Sequence, residues 1–211
     1  MIRKEKNKSR LSIIGSFLII GALSIFSFYN VYNLYMNHTE KKQVDNFINN
    51  NSIIEDPPTI EESIEEPKEE IKEVETYNYI GVLEIPNINF KRGFLSINDR
   101  NNTVNKNIQI LENSAMPDED NGLFVIAGHS GSGRTAFFKN LYKLKEKDQI
   151  YIYYKNIKYI YEITKNYEET KDGDIAISKY SESTLVLTTC SQTDKNKQVV
   201  IISKLIDKTN Y

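Results

Sequence analysis

"TLVLTTCSQTDKNKQVVIIS", residues 184–203, sets two apolar runs on either side of a polar loop and holds the only cysteine of the 211-residue chain, Cys190. Both runs are short, uninterrupted and rich in β-branched residues, the pattern of strands buried on both faces. The "SQTDKNK" between them has the composition of a loop. The stretch predicts two core strands with a thiol at the end of the first.

Similar runs recur upstream. "NGLFVIAGH" (121–129) is a third continuous apolar segment, closed by Gly128 and His129. "NYIGVLEI" (78–85) stops at Pro86, and "NINFKRGFL" (87–95) comes next as a short strand. "QIYIYYKNIKYIYEIT" (149–164) predicts a hairpin, with rows of Tyr and Ile and a turn near Lys155 and Asn156. Two segments have helical spacing. "RTAFFKNLYKLK" (134–145) puts Phe137, Leu141 and Leu144 on one stripe with Phe138 beside it, and "NTVNKNIQILENS" (102–114) has Val104, Ile108 and Leu111 roughly in phase. Strands with short helical insertions and no βαβ alternation predict a mostly-β fold, a closed or nearly closed β-barrel.

That domain, residues 77–211, is the last of four parts. Residues 1–10 carry five basic side chains against one acidic, as a cytoplasmic tail would. Residues 11–29 are almost wholly apolar, and as a helix they reach roughly 28 Å, close to the hydrocarbon thickness of a bilayer. Bulky aromatics come after it instead of a small-residue cleavage site, so the segment reads as an uncleaved transmembrane anchor rather than a signal peptide. The basic flank places the chain beyond the anchor outside the cell. Residues 30–76 are expected to form a juxtamembrane segment and an acidic stalk. From Glu40 to Glu75 there are twelve acidic and four basic side chains, and "EDPPTIEESIEEPKEEIKEVE" (55–75) holds three prolines. Such a composition buries too little apolar surface to offset its ordering entropy, and a disordered linker is expected.

The domain carries 18 basic and 16 acidic residues, so charge does not point to nucleic acid as a partner. With one His and one Cys it has too few ligands for a zinc site without carboxylates, and no metal or organic cofactor is expected. Thiol chemistry needs a thiolate, commonly made by a neighbouring His. His38 precedes the stalk, which leaves His129 as the imidazole that could pair with Cys190. Each ends an apolar strand. A lone Cys is often a small core hydrophobe, and a strand-end His is often a polar cap. Export favours the reactive reading, because a single thiol in an oxidising compartment has no internal partner.

"LFVIAGHSG", "FFKNLYKLKEKDQIYIYYKNIKYIYEI" and "TLVLTTC", in that order, resemble the sortase family, in which a Gly-His ends one strand, an F-x-x-L helix comes next and a T-L-x-T-C strand carries the nucleophile. "YIGVLEIPNINF" is similar to the family's first two strands. Val186 stands where the first Thr of the motif falls. The family also carries an Arg at the start of the strand after the Cys, whereas this chain has no Arg beyond Arg134. Aligning the apolar strand puts Gln198 at that position with Lys197 beside it.

The resemblance implies a transpeptidase in which Cys190 is the nucleophile and His129 the general acid and base. Lys197 is expected to supply the charge of the absent Arg, with Gln198 as the competitor. Thr188, Thr189 and Ser130 are expected to bind substrate. The implied partners are exported proteins with a C-terminal sorting motif, and an amine from a cell-wall precursor or a pilin. A papain-like peptidase would place Cys before His in the chain, and an L,D-transpeptidase would show a S-H-G-C type motif. A membrane-tethered binding domain with an inert thiol is the non-enzymatic alternative.

Overall fold

The computed structural model describes residues 2–51, 77–171 and 182–211. They form two compact units, residues 1–42 and 43–211. The helix α1, Ile2–Asn51, contains a stretch long and apolar enough to cross a membrane by length and composition. Phe17, Leu18, Ile25, Phe26 and Phe28 on it are exposed, as lipid-facing side chains would be. The helix runs well past Tyr29 through the expected juxtamembrane segment, and the linker expected to be disordered from Glu40 onward is helical as far as Asn51. Residues 30–51 contain no proline, and Pro57 and Pro58 come only later. The rest of the expected stalk, residues 52–76, lies outside the described residues.

Among the described residues, eight strands make one nearly closed barrel. They are β1 (Gly81–Ile85), β2 (Phe90–Phe94), β3 (Gln109–Ile110), β4 (Leu123–Ala127), β5 (Gln149–Tyr154), β6 (Ile157–Thr170), β7 (Thr184–Cys190) and β8 (Lys197–Asn210). Their order is β2-β1-β5-β6-β8-β7-β4-β3, antiparallel except for β4 beside β7. The β5–β6 hairpin turns at Lys155 and Asn156, both with positive φ, as a tight two-residue hairpin turn requires.

Leu83, Ile85, Phe124, Ile126, Ile152, Leu185, Leu187 and Ile201 fill the interior with Phe138 and Leu141. A second cluster, Val125, Val186, Val200 and Ile202, lies on the other face of β4, β7 and β8 under Leu111, Leu123 and Tyr167. These three strands are thus covered on both sides, which is why their sequences are continuously apolar rather than alternating.

Neither expected helix forms in the domain. Residues 134–145 make turns and one 3₁₀ turn, Leu141–Lys143. Phe138 N–H is taken by His129 O at 2.9 Å, and Leu141 and Leu144 donate to residues three back. The buried side chains Phe138, Leu141 and Leu144 are spaced by three, which suits this tighter winding. Residues 102–114 hold a turn and β3. Asn102 donates from Nδ2 to Ile110 O at 2.9 Å and accepts from Ile110 N–H at 2.8 Å, so a side chain stands in for a strand partner. Asparagines compete with helix by bonding backbone in this way.

Candidate active site

The site is built by the parallel pairing of β4 and β7. Their register ends at Ala127 opposite Thr188, and Gly128 N–H still donates to Thr188 O at 3.2 Å. Continuing that register brings His129 level with Cys190, at one rim of the barrel. Thr189 strengthens the junction by donating from Oγ1 to Gly128 O at 2.6 Å. Thr188 Oγ1 donates to Val199 O at 3.2 Å. Both threonines, expected to bind substrate, are buried with their hydroxyls directed to the backbone.

Cys190 is partly exposed. It lines a cavity of about 300 Å³ together with Ser130, Phe138, Thr189 and Val199. Ser130 is also buried, and it contributes to a wider neighbouring cleft along the Gly/Ser loop. Gln192 ties the two loops of this rim together, donating from Nε2 to Ser130 O at 3.0 Å. His129 Nε2 lies 3.2 Å from Asn105 Oδ1. An amide oxygen can only accept, so Nε2 is the donor in that contact.

Gln198 lies directly opposite Cys190 in the β7–β8 ladder, and Glu169 lies opposite Gln198 in the β6–β8 ladder. Directly paired residues share a face, so these three side chains form one row. Gln198 Nε2 donates to Glu169 Oε1 at 3.0 Å within it. Strand alternation turns Lys197, which is exposed, toward the face opposite this row. One cation does reach the thiol: Lys171 Nζ is 3.2 Å from Cys190 Sγ.

The sequence therefore points to Cys190, His129 and Gln198, which one rim brings together, but gives no sign of Asn105, Glu169 or Lys171. Lys171 and Glu169 sit in "NYEETK" (166–171), a charged run whose role depends on β6 extending to Thr170 beside β8. Tyr167, apolar amid charges, is the one local sign that the strand continues.

Cys190 is thus a partly exposed thiol with an ammonium at its sulfur and a cavity at its side, and the chain beyond β4 brings His129 to the same rim. Comparison with known proteins shows the family. A family model described as the sortase domain matches residues 83–206. Sortase A of Bacillus anthracis is 27% identical over 128 residues, spanning 60% of this chain and 60% of the relative. The chain thus aligns with less than two thirds of that curated relative's length. Among solved structures, a sortase D5 transpeptidase of Clostridium perfringens has a TM-score of 0.53 at 26% identity, covering 61% of this chain and 79% of that one. Sortase A of Listeria monocytogenes has a TM-score of 0.54 at 17% identity over 63% and 90% of the two chains, a likeness of fold. With more than half of its residues inside the matched domain, this chain belongs to the sortase family.

Proposed function

We propose that the barrel is a sortase-type transpeptidase that cleaves a C-terminal sorting motif of exported proteins and passes the acyl group to an amine. The observation that supports this reading is the parallel β4–β7 register, which leads the chain to His129 and Cys190 at one rim, with Cys190 lining a cavity. His129 takes the thiol proton of Cys190, Sγ adds to the scissile carbonyl carbon, and the carbonyl electron pair moves to oxygen. Collapse breaks the C–N bond, and His129 supplies the proton that the departing amine needs. The thioester then meets a second amine, from a cell-wall precursor or from a pilin lysine, and His129 takes back a proton. Water in place of that amine gives hydrolysis. Binding of the motif draws on Ser130 at the cavity.

In the same reading α1 anchors the protein in the cell membrane by a single pass, with the barrel outside. The five basic residues ahead of the apolar segment support that orientation. Protease added to intact protoplasts should release the barrel; protection from it would reverse the topology.

Mass spectrometry of the protein with a library of Thr-containing peptides and glycinamide as the amine tests the chemistry. A thioacyl adduct on Cys190 and a peptide–amide product are expected. The second reading, a tethered binding domain with a sortase fold, draws on Gln198 in place of the family's Arg. It predicts peptide retention with neither adduct nor product.

A further inference from the structure

We propose that Lys171, at the end of β6, is the cationic catalytic residue of this site, holding the thiolate of Cys190 and then the oxyanion formed on the substrate. The assignment deepens the transpeptidase reading and rests on it for the second of these roles. Lys171 Nζ lies 3.2 Å from Cys190 Sγ. The lysine is exposed, but its backbone is held: its N–H donates to Asn196 O at 2.7 Å, one step past the Thr170–Lys197 pair that ends the β6–β8 ladder. Glu169 and Lys171 are two apart and so project to one face, the face of the Glu169–Gln198–Cys190 row.

The charges of that row explain the need for a cation. Glu169 puts a carboxylate two strands from the thiol. Gln198, in the Arg position of the family, directs an amide hydrogen to Glu169 rather than bringing a charge. His129 approaches from β4 on the other side. Lys171 reaches past β8 to the sulfur, so the positive charge comes from β6. An ammonium is a compact donor on a flexible stem, able to follow charge over a short distance.

When Sγ bonds to the carbonyl carbon, negative charge leaves sulfur and appears on the carbonyl oxygen one bond beyond that carbon. Lys171 follows it as a hydrogen-bond donor. When the C–N bond breaks, the oxygen returns its pair to the carbonyl, and the proton for the amine comes from His129. Lys171 keeps all its protons throughout.

The test uses the full chain in detergent micelles. Alkylation of Cys190 by iodoacetamide, a neutral probe, is followed at pH 7 by mass spectrometry, alongside turnover of the Thr-containing peptides with glycinamide. Lys171→Met should slow alkylation roughly tenfold by removing a cation adjacent to the thiolate. It should lower turnover by roughly 10²- to 10³-fold, as loss of an oxyanion donor does. Lys171→Arg should recover alkylation to within about threefold, since it restores the charge on a different head group. Lys197→Ala should match the parent protein in both. In a parent protein that turns over peptide, the assignment is overturned if Lys171→Met leaves either rate unchanged, if Lys171→Arg does not recover alkylation, or if Lys197→Ala or Gln198→Ala carries the loss instead. If the parent protein turns over no peptide but the alkylation order holds, the lysine's hold on the thiolate stands and the transpeptidase reading falls. If peptide turns over and Lys171→Met is silent, the reverse is true.

Discussion

At the scale of single residues the site depends on which polar groups the backbone consumes. Thr188 and Thr189 give their hydroxyls to carbonyls, stitching β7 to β8 and to the tip of β4. Cys190 and His129 are the next groups along, beyond the end of the β4–β7 ladder, and both are partly exposed. Removing the nucleophile should abolish the thioacyl adduct, so Cys190→Ala is expected to show none by mass spectrometry. His129→Ala should lower turnover by roughly 10²-fold or more, the usual general acid–base contribution. Near-full turnover in that variant would mean that another group handles the proton.

At the scale of elements the tip of β4 is set by close packing. A Cβ on Gly128 would meet the Phe138 ring at 2.8 and 2.9 Å, and Phe138 is fully buried with nowhere to retreat. Gly128→Ala should therefore cost about 1–3 kcal/mol in urea denaturation, the usual range for overpacking. Gly131→Ala, where a Cβ meets nothing within 4 Å, should be close to neutral. The β1–β5 pair carries a pH dependence. Burial, and then the hydrogen bond from Tyr153 to Glu84 Oε2 at 2.8 Å, push the Tyr153 phenol well above its ordinary range. Burial, reinforced by Tyr159, does the same to Tyr161. Because the folded state holds these protons more tightly than the unfolded chain, their stabilisation is fully present below about pH 10 and is lost as pH rises beyond it. Tyr153→Phe should cost about 1 kcal/mol at pH 7 for the lost hydrogen bond. Thermal melts should show its stability falling less steeply between about pH 9 and about pH 11 than that of the parent, with Tyr161 supplying the slope that remains.

At the scale of the whole molecule, all eight strands and both apolar clusters lie beyond Thr76. Residues 77–211 alone should therefore unfold in a single cooperative transition by calorimetry. Absence of a transition would mean that α1 or the stretch after it belongs to the folding unit. The missing Arg also changes meaning at this scale. A barrel brings strands far apart in sequence to one rim, so a cation at the end of β6 can lie at a thiol at the end of β7, across β8.

The sequence by itself determined the apolar runs of β4, β7 and β8, the turn at Lys155 and Asn156, and the strand-end positions of His129 and Cys190. Burial on both faces, turn chemistry and residue scarcity are local properties, and they leave local traces. The helical spacing of residues 102–114 and 134–145 was also local, and tertiary bonds overrode it: Asn102 paired with the β3 backbone and His129 O captured Phe138 N–H. Only the tertiary structure decided that β6 runs on to Thr170 and that Lys171 meets Cys190 across β8. A charged side chain at a strand end looks the same in sequence whether it meets water or a thiol, because its partner is chosen by the order of strands in the sheet.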